Sequence, residues 1–311
     1  MELLNAVFIA PFVDMWEFPA FFVEVVITGL LTGVMYSLVA LGFVLIFKAS
    51  GVFNFAQGAM VLFAALTLVG LIEKGVPIWL ALILTMVVMI ALAFAVERLM
   101  LRPLVNQDHI ILFMATIGLT FFLEGFGETL WGSNVKRLDI GIPNASFEIH
   151  GVLLHQFDLF AAATGAVLVA GLAIFFHKTP VGRALRAVAD DHQAAMSVGI
   201  SLKTIWIIVW SVAGIVAMVA GIMWGAKSGV QFSLSLIALK ALPVLILGGF
   251  TSVPGAIVGG LIIGVGEKVA EIYWGPLVGG AIENWFAYML ALAFLLFRPQ
   301  GLFGERIIER V

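Results

Sequence analysis

Hydrogen-bonding side chains interrupt an apolar run near residue 54, where the sequence reads SGVFNFAQGAM (residues 50–60). Asn54 and Gln57 place amides on either side of Phe55, and Gly51 and Gly58 frame the segment. A break of this kind in an apolar helix frees peptide groups that only protein or water can satisfy. The amides therefore bind either a polar solute or the freed peptide groups, and the sequence leaves both interpretations open.

A second segment, GGFTSVPGAIV (residues 248–258), resembles residues 51–61 and shares five of eleven positions with them. The identical pairs are Gly51/Gly248, Phe53/Phe250, Gly58/Gly255, Ala59/Ala256 and Val61/Val258. We interpret this as an internal repeat, with chance similarity in a Gly- and Val-rich chain as the alternative. Paired interrupted helices mark a central solute pathway. Thr251 and Ser252 therefore carry the same two interpretations as Asn54.

Two charged residues lie inside apolar runs. Glu124, in IGLTFFLEGFG, is expected either to face the protein interior or to lie at a helix end near water, and the glycines that follow it favour the helix end. Lys240, in LSLIALKALPV, is expected to extend its ammonium group along its four-carbon stem to the membrane interface.

The chain offers no pattern for a metal, a cofactor or a catalytic group. It contains no cysteine, and its five histidines are scattered at the ends of segments. Neither a His paired with a Ser or Glu at catalytic spacing nor twin membrane aspartates are present. We therefore predict no catalytic residue, no metal ligand and no bound cofactor.

The loop HKTPVGRALRAVADDHQAAMSVGISLK has the signals of two short helices. Thr179 suits the N-cap of the first helix and Pro180 its first position. Asp190 or Asp191 suits the N-cap of the second, and Gly199 its left-handed end. The small apolar side chains of this loop predict a surface that another protein can approach closely. The alternative is an amphipathic helix that lies on lipid headgroups.

These segments must be positioned by membrane helices. The chain has 311 residues, of which 62% are hydrophobic and 11% charged, and its net charge of -3 gives no indication of nucleic acid binding. We predict a single all-α domain over residues 1–311, a polytopic transmembrane helical bundle with an internal repeat of broken or short helices. The predicted segments are 25–47, 56–72, 77–98, 109–130, 158–176, 204–226, 234–249, 255–270 and 282–297, of which 56–72 and 234–249 are short.

Basic residues predict the orientation of the bundle. Lys and Arg cluster in residues 98–102, in the loop 178–203 and in the tail that contains Arg298, Arg306 and Arg310. Short loops rich in Lys and Arg stay in the cytoplasm. With nine crossings, the amino terminus is extracytoplasmic and the carboxyl terminus cytoplasmic.

Four motifs in sequence carry a resemblance. GVMYSLVALGFVLIFKASGVFNFAQGAM, GRALRAVADDHQAAMSVGIS, LGGFTSVPGAIVGGLIIG and FRPQGLFG together resemble the LivH-type permease subunit of branched-chain amino acid ABC importers, over residues 29–304. Gln57 departs from the commoner pattern, because many relatives carry His there. Relatives with these motifs also move urea and other small amides or acids, which is the alternative solute class. A stand-alone secondary transporter is the second alternative.

The resemblance implies a non-catalytic subunit of the bacterial inner membrane. It implies a second, LivM-like permease as partner, two cytoplasmic ATPases that bind the ATP, and an extracytoplasmic solute-binding protein. Residues 178–203 are similar to the coupling-helix loop of the family. The predicted coupling residues are Arg183, Arg186, Ala187, Asp190, Asp191, Ala194, Ala195 and Gly199. The predicted pathway residues are Asn54, Phe55, Gln57, Thr251, Ser252 and Glu124.

Overall fold

The computed structural model describes residues 2–104, 107–143 and 145–304, and the predicted all-α bundle is confirmed. The α-helices are α1 Glu2–Phe8, α2 Ala10–Glu17, α3 Pro19–Ser50, α4 Gln57–Glu73, α5 Ile78–Val96, α6 His109–Trp131, α7 Gln156–Lys178, α8 Pro180–Asp190, α9 His192–Ser197, α10 Leu202–Ser228, α11 Ile237–Gly248, α12 Val253–Tyr273, α13 Gly275–Val278 and α14 Phe286–Phe297. A π-helical turn (Glu97–Leu101) extends α5, and 3₁₀ turns precede α11 (Phe232–Leu236) and α14 (Ile282–Asn284).

Within the described ranges, six helices are long and apolar enough to cross a membrane, so the chain is a multi-pass membrane protein. They are Pro19–Ser50, Ile78–Leu101, Ile110–Trp131, Gln156–Lys178, Leu202–Ser228 and Val253–Tyr273. Three apolar helices are shorter, and two of these, Gln57–Glu73 and Phe232–Gly248, match the segments predicted to be short. The third, α14, was predicted over 282–297. It begins only at Phe286, because a 3₁₀ turn occupies the first residues of that segment.

Helix α3 is the centre of the bundle. Every side chain from Met35 to Ile46 is buried, as expected for a helix that is apolar on all sides. Helices α7, α10, α11 and α12 pack around it. At its end, the Trp206 indole Nε1 of α10 donates a hydrogen bond to the Ala49 carbonyl oxygen at 3.1 Å, and Gly51 adopts a left-handed φ of 66° that ends the helix. The first break is therefore fixed from two sides.

Glycines set the closest helix contact. Gly29 and Gly33 of α3 lie against Gly260 and Gly264 of α12, and we call these four residues the glycine seam. A Cβ atom at Gly33 would lie 2.6 Å from the Gly260 carbonyl oxygen, and one at Gly264 would lie 2.4 Å from the Gly29 carbonyl oxygen. Small residues four apart, such as Gly29 and Gly33, permit this approach of two helix backbones. The contact is internal to the chain.

The loop between α6 and α7 contains a hairpin that the sequence analysis did not assign. Strand β1 (Ser146–Ile149) pairs antiparallel with β2 (Val152–His155). His150 and Gly151 connect the strands with φ values of 52° and 82°, as a tight hairpin turn requires. The Leu153 amide donates to the Glu24 carboxylate at 2.9 Å, which ties the hairpin to α3. Of the basic tail, Arg306 and Arg310 lie outside the described residues.

The glycine seam predicts a stability effect. A methyl group at Gly33 meets backbone atoms of α12 that cannot rotate away, so Gly33→Ala is expected to destabilise the protein by roughly 2 kcal/mol. Thermal unfolding of the purified chain in detergent measures this as a lowered midpoint.

Gly118→Ala is the matched control. Gly118 lies inside α6, and a Cβ there would meet nothing within 4 Å in the described part of the chain. Equal midpoints for Gly33→Ala and the wild type would contradict the close packing of α3 and α12.

Candidate functional site

The two interrupted segments adjoin each other in the structure. Residues 51–56 separate α3 from α4, and residues 249–252 separate α11 from α12. Phe53 and Phe250, one of the identical pairs in the alignment, have ring centroids 6.2 Å apart in an edge arrangement. Phe47 reaches the same Phe250 ring at 5.8 Å. Both breaks therefore lie at one end of the bundle, beside α8 and α9, which we call the loop end.

Hydrogen bonds satisfy the peptide groups that the first break frees. Asn54 is fully buried, and its Oδ1 accepts the Ala56 amide at 3.2 Å. The Thr116 hydroxyl of α6 accepts the Phe55 amide at 3.1 Å and donates to the Phe113 carbonyl oxygen at 2.8 Å. Of the two interpretations for Asn54, these contacts represent the structural one. Thr116 was missed from the sequence because it lies 61 residues from its partner.

Gln57 is also fully buried and points into the protein. Its Oε1 accepts from Asn54 Nδ2 at 3.4 Å, and its side chain packs against Gly42 of α3. A Cβ atom at position 42 would overlap the amide, so the glycine provides its space. Gln57 Nε2 makes no hydrogen bond to any residue that the structure describes. One buried donor of the first break is thus left without a partner.

A cavity of about 240 Å³ lies beside the first break, between α4, α6 and α11. Its walls are mostly aromatic and aliphatic side chains, including Phe53, Phe55 and Leu239. Thr120 and Glu124 of α6 also line it. These two residues and Thr116 are spaced four apart, which places them on one face of the helix, and we call the three the α6 polar stripe. That spacing is a signal from which Thr116 and Thr120 could have been found.

Glu124 does not lie at a helix end, although the sequence favoured that position. Helix α6 continues through Gly125 and Gly127 to Trp131, about 10 Å further along its axis. The carboxylate is half-buried and has no hydrogen-bond or ion-pair partner within the described ranges. An acidic group thus lines an otherwise apolar cavity well inside a membrane-length helix.

Thr251 and Ser252 lie away from this cavity. The Ser252 hydroxyl accepts the Gly255 amide at 3.0 Å and so caps α12. Thr251 lines a pocket of about 280 Å³ together with Gly51 of the first break and Arg186 and Asp190 of α8. The structure therefore groups Asn54, Phe55, Gln57 and Glu124 near one cavity, and places Thr251 against the loop.

The loop forms the two predicted helices, α8 and α9. The Thr179 hydroxyl accepts the Gly182 amide, and the Asp191 carboxylate accepts the amides of Gln193 and Ala194 at 2.7 and 3.0 Å. Asp191, not Asp190, is therefore the second cap. Gly199 has a φ of 86°, which fits the predicted left-handed end.

Helix α8 is held firmly on the bundle. Leu185 and Val188 are buried, and the Arg186 guanidinium donates to the Phe176 carbonyl oxygen of α7 at 2.8 Å. Gly182 lies so close to Phe176 that no side chain fits between them. The surface that faces away from the bundle is formed by exposed side chains of α8 and α9. Its members are Arg183, Asp191, Ala194 and Met196, with Val198 directly after α9, whereas Asp190 lines the pocket beside Thr251, Ala195 is buried and Ala187 is half-buried.

A buried charged cluster joins α3, α11 and α12. Glu267 is 1% exposed and accepts hydrogen bonds from the Tyr36 hydroxyl and the Lys240 ammonium, both at 3.0 Å. Lys240 therefore pairs with a carboxylate and does not extend to the membrane interface, contrary to the sequence prediction. The second carboxylate oxygen of Glu267 has no partner among the described residues. Glu267 was not among the predicted residues, because no local pattern links it to a lysine 27 residues earlier.

The first break predicts a second stability effect. Thr116→Val keeps the shape of the side chain but leaves the partly buried Phe55 amide without this acceptor, which costs about 1 kcal/mol. Hydrogen exchange of the Phe55 amide is expected to accelerate, and the thermal midpoint to fall.

Thr129→Val serves as the control, since the Thr129 hydroxyl is exposed and bonds only to the Gly125 carbonyl oxygen of its own helix. Unchanged protection of the Phe55 amide in Thr116→Val would show that Thr116 does not support the break.

The comparisons with known proteins agree along nearly the whole chain. The chain is 28% identical to the high-affinity branched-chain amino acid transport system permease protein BraD of Pseudomonas aeruginosa, over 93% of this chain and 98% of that protein. It is 26% identical to the corresponding LivH protein of Escherichia coli, over 94% and 98%. A probable LivH protein of Methanocaldococcus jannaschii is 28% identical, over 86% and 88%.

The family match covers the breaks, the cavity and the loop together. Residues 25–298 match the family described as "Branched-chain amino acid transport system / permease component". This range contains every predicted pathway and coupling residue. The chain therefore belongs to this family of membrane transport permeases, and it is a transport subunit without catalytic activity of its own.

Proposed function

We propose that this chain moves branched-chain amino acids across the bacterial inner membrane by ATP-driven alternating access. It does so together with a LivM-like permease, two cytoplasmic ATPases that bind the ATP, and an extracytoplasmic solute-binding protein. The names of the relatives support the solute class. The loop end faces the cytoplasm, with the amino terminus outside and the carboxyl terminus inside, which agrees with the basic residues at that end.

The cavity beside the first break supports this solute class. Its aromatic and leucine walls suit an aliphatic side chain, and the Glu124 carboxylate suits an α-ammonium group. Urea or another small amide, the alternative within the family, would donate hydrogen bonds to Glu124 but offers no aliphatic side chain to the apolar walls. A stand-alone secondary transporter would leave the exposed surface of α9 without a role.

The exposure of Glu124 is the observation that carries the proposal of a second permease. The cavity opens at the outside of the bundle, where Phe121 is 69% exposed and Leu236 58% exposed. A carboxylate at this depth is costly to place against lipid and requires cover by protein or enclosed water. A partner permease on this face would close the cavity and leave Glu124 inside a shared pathway.

The position of α8 supports coupling to an ATPase. Helix α8 is fixed to α7 and touches the pocket that contains Gly51 and Thr251, so it lies against both breaks. The exposed apolar side chains of α9, Ala194, Met196 and Val198, are available to another protein. Movement of the loop by a partner would shift the ends of the interrupted helices as a rigid body.

The role of Glu124 is tested by Glu124→Gln in the reconstituted complete importer. Loss of the negative charge is expected to lower leucine uptake at least about tenfold, because the ammonium group loses its counter-charge. ATPase subunits should still co-purify with the variant. Glu128→Gln is the control, since Glu128 lies one turn further along α6, is exposed and does not line the cavity. Leucine uptake at the wild-type rate in Glu124→Gln would refute this role.

The coupling surface is tested by Ala194→Glu. A bulky charge on the exposed face of α9 should reduce co-purification of the ATPases and lower uptake together, while thermal stability stays unchanged. Gln107→Glu adds the same charge to an exposed position in the loop between α5 and α6, and should leave both measurements unchanged. Normal ATPase binding and normal uptake in Ala194→Glu would mean that α9 is not the contact.

A further inference from the structure

A basic pocket lies at the loop end, between the end of α5 and the start of α10. Its volume is about 320 Å³, and Arg98, Arg102 and Lys203 line it together with Glu97. The two helices run antiparallel, because Gly214 of α10 packs on Met89 of α5 while Lys203 meets the pocket at the other end of the contact. None of these charged residues belongs to the proposed pathway or coupling surface.

The π-helical turn determines which basic side chains of the pocket form an ion pair. The Arg102 amide donates to the Glu97 carbonyl oxygen at 2.9 Å, five residues back, which is the pattern of a π turn. The same turn brings the Arg102 guanidinium over the buried Glu97 carboxylate, with three contacts of 3.0 to 3.3 Å. This pair is neutral. Arg98 and Lys203 make no ion pair with any residue that the structure describes, so the pocket keeps two positive charges.

The walls of the pocket are apolar on the side towards the middle of the bundle. Phe94 lies four residues before Arg98 on α5, and Ile207 lies four residues after Lys203 on α10, so each apolar side chain shares a helix face with a basic one. Phe94 is 51% exposed. The pocket thus combines a cationic end with apolar walls that extend into the membrane, which is the profile of an amphiphile at the headgroup boundary.

We propose that this pocket binds the phosphate headgroup of an anionic phospholipid between Arg98 and Lys203, with the acyl chains along Phe94 and Ile207. Basic pockets between membrane helices select such headgroups. A lysine or arginine that only anchors a helix needs no partner on a neighbouring helix, whereas these two converge from α5 and α10. The proposal needs only that the chain lies in a bilayer, so it does not depend on the solute or on the ATPases.

Native mass spectrometry of the full chain in detergent, with phosphatidylglycerol or phosphatidylcholine added, tests the site. The wild type is expected to retain phosphatidylglycerol preferentially. Arg98→Gln with Lys203→Gln should weaken that retention about tenfold or more, since each basic residue contributes about fivefold. Arg98→Lys with Lys203→Arg keeps both charges and should keep the lipid. Lys178→Gln with Arg298→Gln removes two exposed charges from the same end, outside the pocket, and should also keep it.

Several results would overturn the proposal. Equal retention of the two lipids by the wild type would do so, and so would full retention of phosphatidylglycerol by the double Gln variant. Displacement of the lipid by millimolar inorganic phosphate would make the pocket a free-anion site. If the double variant unfolds, Arg98→Gln and Lys203→Gln are measured singly, each with an expected loss of about fivefold, and no loss in either contradicts the site.

Discussion

The need to satisfy peptide groups inside a membrane governs this structure. Lipid offers no hydrogen bonds, so a chain that interrupts a helix must supply them itself. At the first break, Asn54 and Thr116 do this from two different helices. This requirement fixes α6 beside α4, and the fixed α6 in turn places Glu124 at the cavity. Asn54 and Thr116 thus support the break, whereas Thr120 and Glu124 line the cavity.

The close packing around α3 is a second constraint on the bundle. Where α3 meets α12, glycines allow backbone contact, and further along the same pair of helices a carboxylate is buried between Tyr36 and Lys240. A buried ion pair adds little net stability, but removal of one partner leaves an uncompensated charge. Glu267 of α12 is thus bonded to one residue of α3 and one of α11, so its contacts depend on the mutual position of all three helices.

Local sequence signals predicted the helix caps and helix positions, but they did not predict contacts between residues far apart in the chain. Thr179, Asp191 and Gly199 act within one turn of their own helices, so the sequence alone indicated α8 and α9. Apolar runs predicted the positions of the longer apolar helices, except that α14 starts later because the preceding residues form a 3₁₀ turn. The short helices α1, α2 and α13 were not predicted. Glu267, Thr116 and the pairing of Lys240 depend on helices that meet only after folding. The sequence indicated Glu124 as a carboxylate within an apolar run, but it did not predict that α6 continues to Trp131.

The attachment of α8 has a mechanical consequence. Residues of α8 line the same pocket as Gly51 and Thr251, so this one helix lies against the ends of both interrupted helices. The Arg186 bond to Phe176 and the tight fit at Gly182 leave no slack between α8 and α7. A force applied to α8 would therefore act on both interrupted helices through one set of contacts.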